Sequence, residues 1–84
     1  MRLEKLYESA KNNPVDVRFG DLCKLIEAFG FRYRGGKGSH QVYVKEGVLE
    51  ILNVQSVRGR ANPYQVRQFL KVVENYKLIL GGLK

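Results

Sequence analysis

The sequence predicts an α+β domain in which helices pack on one face of a three-stranded antiparallel sheet, in the order α-α-β-β-β-α. Three observations lead to this prediction. Apolar residues recur at helical spacing up to residue 30, apolar and polar residues alternate from residue 31, and a capped helical pattern begins at Asn62. A chain of 84 residues can build one hydrophobic core, so we expect a single domain over residues 1–84.

Two helices are expected before the sheet. The first covers residues 2–12, ends before Pro14, and carries apolar side chains at Leu3, Leu6, Tyr7 and Ala10. We treat residues 1–14 as an additional N-terminal helix. The second ends at Gly30, which has no Cβ and so adopts a left-handed conformation easily. Its apolar stripe consists of Phe19, Leu22, Leu25, Ile26 and Phe29, with Cys23 expected in the core beside it.

Three strands are expected at about residues 31–35, 39–45 and 49–54, joined by the short glycine-containing connections Gly-Gly-Lys-Gly and Lys-Glu-Gly. In the last helix, Asn62 is the expected N-cap and Pro63 occupies the first helical position. Gln65 is expected to reach back as in a capping box. The core face of this helix is predicted to carry Val66, Phe69, Leu70 and Val73.

The charge of the chain favours an anionic partner. Fifteen Lys and Arg residues against eight Asp and Glu give a formal charge of +7, which suits nucleic acid or an acidic protein. Residues 28–45 and 51–73 carry no carboxylate, so the sheet and the loop with Arg58 and Arg60 form a candidate basic surface. Arg32 and Arg34 alternate with two aromatic residues, which places both guanidinium groups on the open face if the aromatic rings face the core.

Several classes of function are disfavoured. One histidine and one cysteine cannot form a recognisable set of metal ligands, and no cofactor is expected. The single cysteine also excludes an internal disulfide, which fits a reducing compartment. Because no apolar run approaches the ~20 residues of a membrane span, we expect a cytoplasmic protein. The glycines of residues 35–38 lack the spacing of a phosphate-binding P-loop and are interpreted as a hairpin connection.

His40 is the only histidine and follows the glycine-rich connection. An imidazole is suited to general acid–base catalysis, and RNA contains an internal 2′-hydroxyl nucleophile that one base can activate. An ordinary strand residue is the alternative. Strict alternation puts His40 on the face of Val42 and Val44, the expected core residues, and leaves Gln41 and Tyr43 on the open face. We therefore expect the preceding glycines to turn His40 outward.

The run FGDLCKLIEAFGFRYRGGKGSHQVYV, followed by a third strand and NPYQVRQFLKVVENY, resembles the HicA toxins of toxin-antitoxin systems over residues 17–77. The resemblance implies a fold like the double-stranded-RNA-binding domain. It also implies a type II toxin that acts as a metal-independent endoribonuclease on mRNA, takes part in a stress response, and is neutralised by a HicB-like antitoxin. The N-terminal helix lies outside the short form of this family.

The resemblance also assigns roles to particular residues. His40 matches the active-site histidine, and Gly38 and Ser39 match its Gly-Ser turn; many relatives have a second histidine at the position of Gln41. His40 is thus the expected general base, with Lys37, Arg34 or Arg32 stabilising charge, and the general acid remains open among water, Tyr43 and His40 itself. The expected RNA-binding residues are Arg32, Arg34, Lys37, Gly38, Ser39, Tyr43, Arg58 and Arg60.

Two other functions fit the same residues. A non-catalytic RNA-binding module of this fold would hold RNA by its shape and phosphates. A protein-interaction adaptor would use the basic surface to meet an acidic partner. For the toxin hypothesis, the expected partners are mRNA and an antitoxin whose acidic residues meet Arg34, Lys37 and the loop of Arg58 and Arg60.

Overall fold

The computed structural model describes residues 2–82 and confirms the α+β fold. All helices pack on one face of a four-stranded antiparallel sheet with the strand order β1-β2-β3-β4. The elements are α1 (Leu3–Asn12), α2 (Phe19–Ala28), β1 (Arg32–Lys37), β2 (His40–Val44), β3 (Leu52–Val57), β4 (Arg60–Ala61), α3 (Pro63–Tyr76) and a short 3-10 helix (Leu80–Gly82). The order α-α-β-β-β-β-α therefore contains one strand more than the sequence predicted.

The fourth strand arises because the expected basic loop is a tight hairpin. Arg58 and Gly59 both have positive φ angles, of 54° and 83°, as in the type I′ turns that suit the twist of two paired strands. Strand β3 also lies later than the predicted 49–54. Residues 48–50 are held away from the sheet instead: the Leu49 N–H donates to the Tyr76 hydroxyl, which in turn donates to Glu50 at 2.9 Å.

The first hairpin is tighter than expected. Strand β1 runs through both of its glycines to Lys37, which pairs with His40, so only Gly38 and Ser39 form the turn. The predicted four-residue connection was wrong because Gly36 lies within the sheet. A Cβ on Gly36 would lie 2.9 Å from Gln41 Cα and would overlap the His40 carbonyl oxygen. This glycine allows the backbones of β1 and β2 to approach closely beneath His40.

The core lies between the helices and one face of the sheet. Its sheet side consists of Tyr43, Leu52, Val54 and Ala61, and its helix side includes Leu22, Leu25, Ile26, Val66, Phe69, Val72 and Val73. The expected orientation of β2 was therefore wrong, since Tyr43 is 1% exposed and Val42 and Val44 lie on the opposite face. Alternation identifies two faces but not which one is inside; here the large Tyr43 ring fills the space over the helices. On α3, Leu70 was expected in the core but is only half-buried, whereas Val72, which was not expected there, is buried.

The helix ends follow the predicted local signals with one exception. Gly30 has a φ of 99°, and the N–H groups of Gly30 and Phe31 donate to the carbonyl groups of Glu27 and Ile26, which is a Schellman motif. At α3, Asn62 Oδ1 accepts from the Tyr64 N–H at 2.9 Å.

The exception is Gln65, which makes no capping box. Its side-chain oxygen accepts from the Gln55 N–H at 2.6 Å, and the Asn62 N–H donates to the Gln55 carbonyl group at 3.2 Å. The start of α3 is thereby attached to β3 by the Gln65 side chain and the Asn62 backbone, while the Asn62 side chain caps the helix.

The N-terminal helix forms as predicted and packs against α2 through Leu6 and Ala10. The segment between α1 and α2 lies along the edge of β4: the Ala61 N–H donates to the Val17 carbonyl group at 2.8 Å, and the Phe19 N–H donates to that of Gly59 at 2.9 Å. Within residues 2–82, no helix combines the length and the apolar character needed to cross a membrane.

Candidate active site

His40 is the first residue of β2 and projects from the sheet face that no helix covers. It lies opposite Lys37 on β1 and Gln55 on β3, and its side chain is exposed. No outward turn of the backbone is needed, because Val42 and Val44 occupy this face as well. The predicted conflict between strand alternation and an accessible imidazole is absent once Tyr43, rather than Val42, is assigned to the core.

Asn53 is the polar neighbour of the imidazole that the sequence did not reveal. It pairs with Val42, two positions along β2 from His40, and its Oδ1 lies 3.3 Å from His40 Nδ1. An amide oxygen accepts hydrogen bonds, so this contact favours the tautomer that carries its proton on Nδ1. Nε2 then keeps its lone pair and faces away from Asn53, as a general base requires. Only the register of β2 against β3 could have identified Asn53.

Both hairpin turns lie at the His40 end of the sheet. The Ser56 N–H donates to the Ser39 carbonyl group at 3.0 Å, which joins the first turn to the end of β3. Arg58 follows at the tip of the second turn and is exposed. The structure thus places Lys37 at the end of β1, Gly38 and Ser39 in the first turn, and Arg58 in the second turn, all at the His40 end of the sheet.

Arg60 is less available than the sequence suggested. Its Nε lies 3.3 Å from Asp16 Oδ1, and about half of each side chain is exposed to water. Arg60 also forms an isolated β-bridge with Arg18, which precedes α2. The guanidinium group therefore has a carboxylate partner within the chain, unlike that of Arg58, for which residues 2–82 contain no ion pair.

Arg32 and Arg34 do not lie beside His40. Arg32 pairs with Val44 at the far end of β2, which is about 13 Å from His40 along the strand. Arg34 lies at the irregularity in the β1–β2 register. Both side chains are exposed and line a shallow depression with Val44 and Lys45. Their guanidinium groups form a second basic area on the sheet, separate from the His40 end.

Gln41, Tyr43 and Cys23 form a polar cluster on the opposite, helix-packed face. Gln41 Oε1 accepts from the Tyr43 hydroxyl at 2.8 Å and from Cys23 Sγ at 3.6 Å. Burial raises the pKa of the Tyr43 hydroxyl well above its usual value, and burial likewise raises the pKa of the Cys23 thiol. A histidine at position 41 would face this cluster and would not stand beside His40.

The same observation corrects the expected role of Tyr43. A side chain that is 1% exposed and covered by helices cannot contact RNA or protonate a leaving group on the open face. The polar atoms of the cluster are satisfied within the protein, since residues 2–82 contain no buried side-chain N or O atom without a partner. Within the same residues, no group of three or more His, Cys, Asp or Glu side chains is placed to hold a metal ion.

Comparison with protein families decides the membership of the chain. The sequence model of the family described as the HicA toxin of bacterial toxin-antitoxin systems matches residues 19–74. The chain belongs to the HicA toxin family. HicA toxins are RNases and pair with HicB antitoxins. No curated protein and no solved structure matches the chain.

The HicA match begins at the first residue of α2 and ends within α3. It includes His40, Asn53 and both turns at the His40 end of the sheet. Helix α1 precedes the matched residues and is not covered by the HicA match.

Proposed function

We propose that the chain is a metal-independent endoribonuclease that cleaves mRNA with His40 as its general base. One observation carries this proposal: an exposed imidazole on the uncovered face of the sheet has its Nδ1 held 3.3 Å from Asn53 Oδ1. With the proton on Nδ1, Nε2 of this exposed side chain is able to accept a proton. The RNase activity of HicA toxins supports the same class of reaction.

In the proposed reaction, His40 Nε2 accepts the proton of a ribose 2′-hydroxyl group. The 2′-oxygen attacks the adjacent phosphorus, and the bond from phosphorus to the 5′-oxygen of the next nucleotide breaks. The products are a 2′,3′-cyclic phosphate and a 5′-hydroxyl, whose proton comes from the imidazolium ion just formed or from water. Neither step needs a metal ion, because the nucleophile belongs to the RNA itself.

Lys37 is the cation best placed to stabilise the charge that develops on the phosphate oxygens. It pairs with His40 across β1 and β2, so its ammonium group belongs to the same end of the open face. Arg58 and the backbone of Gly38 and Ser39 would hold the phosphate from the two turns. Arg32, about 13 Å along the sheet from His40, and Arg34, which lies between Arg32 and Lys37 on β1, would contact another part of the RNA backbone. Arg60 would contact the RNA only if a phosphate group displaced Asp16 from its guanidinium group.

The direct test compares the wild-type protein with His40→Ala on a labelled mRNA in the presence of EDTA. We expect wild-type cleavage to persist in EDTA and to leave 2′,3′-cyclic phosphate ends. The variant should lose at least about 100-fold in rate while its thermal unfolding stays unchanged. The same RNA with 2′-O-methyl groups should bind without being cut.

Each contrary result has a definite meaning. Cleavage that survives in His40→Ala, or of the 2′-O-methyl RNA, would remove the proposed base or nucleophile. Loss of wild-type cleavage in EDTA would indicate a metal-dependent nuclease. A wild-type protein that binds RNA tightly and cuts none would be the non-catalytic RNA-binding module.

A HicB-type antitoxin is the protein partner that we propose for this face, since HicA toxins pair with HicB antitoxins. Acidic side chains of the antitoxin would meet Lys37, Arg34 and Arg58 and cover His40. Titrating the purified antitoxin into the cleavage assay should abolish both cleavage and RNA binding, with association that slows as salt is added. Full inhibition while RNA still binds with unchanged affinity would place the antitoxin elsewhere.

A further inference from the structure

A groove of about 590 Å³ lies between α1 and α3, in the helical layer and away from the open sheet face. Its floor is apolar. Tyr7 of α1, Leu70 of α3 and Leu78 beyond it are each half-buried, and Val73 beneath them is 4% exposed. These side chains belong to the edge of the hydrophobic core and present their remaining apolar surface to the groove.

The rim of this groove is basic. It carries Lys11, Arg67, Lys71 and Lys77, with Glu74 as its one acidic residue. Lys11 already has partners within the chain, because its Nζ lies 3.9 Å from Glu8 and 5.3 Å from the centre of the Tyr7 ring. Within residues 2–82, the other three cations form no ion pair. A cationic rim around an apolar floor thus remains without a partner inside the chain.

The groove is separate from the site of the proposed RNA cleavage. It depends on α1, which the HicA match over residues 19–74 does not include, and on the face of α3 that turns away from the sheet. His40 projects from the opposite side of the sheet, which no helix covers. A molecule seated in the groove would therefore leave the imidazole accessible.

We propose that this groove binds an acidic amphipathic helix of a partner protein. Arg67 and Lys71 lie one turn apart on α3, and the distance from Arg67 to Lys77 along the chain corresponds to about 15 Å of helix. A partner helix of about three turns matches this length. Its apolar stripe would cover Leu70 and Leu78, and its carboxylates would meet the rim, as in helix-in-groove recognition.

The apolar floor favours a protein over a nucleic acid. Phosphate groups would be attracted to the rim, but an RNA backbone has no apolar surface with which to cover Tyr7, Leu70 and Leu78. An amphipathic helix satisfies both features together, since it removes apolar area from water and pairs charges at the edge. The partner would then be held on one side of the domain while the other side remains free for RNA.

The test uses helix-stabilised peptides of about 12 residues and the ¹⁵N-labelled full chain. One peptide is amphipathic with Glu beside its leucines, the second replaces each Glu with Lys, and the third scrambles the first to destroy its apolar stripe. Only the acidic amphipathic peptide should bind, and the amide shifts should map to Lys11, Leu70 and Lys71. The Lys71→Glu variant should weaken its binding at least tenfold.

Lys5→Glu is the matched control, because Lys5 is an exposed residue of α1 outside the groove and its reversal gives the same net charge. It should change peptide affinity less than twofold. Equal binding of the scrambled peptide, or equal weakening by Lys5→Glu, would overturn the proposal in favour of nonspecific attraction. A short RNA that shifts the groove amides and loses affinity in Lys71→Glu would overturn it in favour of a nucleic-acid site.

Discussion

His40 Nδ1 lies 3.3 Å from Asn53 Oδ1 across strands β2 and β3. The two residues are 13 positions apart in the sequence and meet only because β2 and β3 pair in this register. Asn53 touches the imidazole and not the RNA in the proposed reaction, so it is a positioning residue. In that reaction it would select the tautomer and hold the ring.

Replacing Asn53 with Ala should reduce the cleavage rate about fivefold, since one neutral hydrogen bond contributes ~1 kcal/mol. The effect should appear in kcat with little change in KM, because phosphate contacts are kept. The ¹⁵N spectrum of His40 should change from one tautomer to a mixture. Asn75→Ala, at an exposed position on α3, is the matched control, and equal rates for both variants would exclude the positioning role.

Gly36 is predicted to be irreplaceable. A Cβ at this position overlaps the backbone of His40 and Gln41, so Gly36→Ala should force β1 away from β2 and cost about 1–3 kcal/mol of unfolding free energy. RNA cleavage should fall with it, because the first turn and His40 move together. Urea unfolding and the cleavage assay measure the two effects.

Gly20→Ala provides the control for this change. Gly20 lies in α2, and a Cβ there would meet no atom within 4 Å. Alanine favours the helix, so this variant should gain up to about 1 kcal/mol. A stable, active Gly36→Ala protein would show that the two strands are further apart than described.

Arg58 occupies a turn position that favours Asn or Gly. Its φ of 54° is strained for a long side chain, and such strain is often kept at functional sites. Arg58→Asn should therefore raise the unfolding free energy by about 1 kcal/mol while it weakens RNA binding and flattens its salt dependence. Arg58→Lys should preserve binding, and unchanged RNA affinity in Arg58→Asn would remove Arg58 from the interface.

The buried hydroxyl of Tyr43 predicts a loss of stability at high pH. Its pKa in the folded protein is raised by burial above the ordinary value of 10.0, so the unfolded chain releases this proton first. Stability should be complete below pH 10 and should fall above it by as much as ~1.4 kcal/mol per pH unit.

Urea unfolding of Tyr43→Phe checks this dependence. The variant should lose about 1 kcal/mol at neutral pH, from the hydrogen bond to Gln41, and should show a shallower decline above pH 10. Tyr64→Phe is the control, because Tyr64 is 75% exposed and its hydroxyl meets water in both states. Parallel declines for wild type and Tyr43→Phe would contradict the assignment.

Much of the fold follows from local sequence signals. Helix periodicity, Gly30 as the helix-ending residue and Asn62 as the N-cap were all predicted, because each depends on residues within about one turn of one another. Family membership, and the position of His40 directly after the first turn, were also predicted, because both depend on short motifs that follow one another in a fixed order along the chain. The basic character of the surface required only the distribution of charged residues along the chain.

The tertiary structure decided which residues meet. The face of β2 depended on whether Tyr43 or the two valines filled the space over the helices, and alternation is the same in either case. Strand register decided three further features: the fourth strand, the place of Gly36 within β1, and Asn53 as the neighbour of His40. Register is set by pairing between segments that are distant in the sequence. The same pairing separated Arg32 from the imidazole, and the packing of α1 beside α3 created a groove that neither helix forms alone.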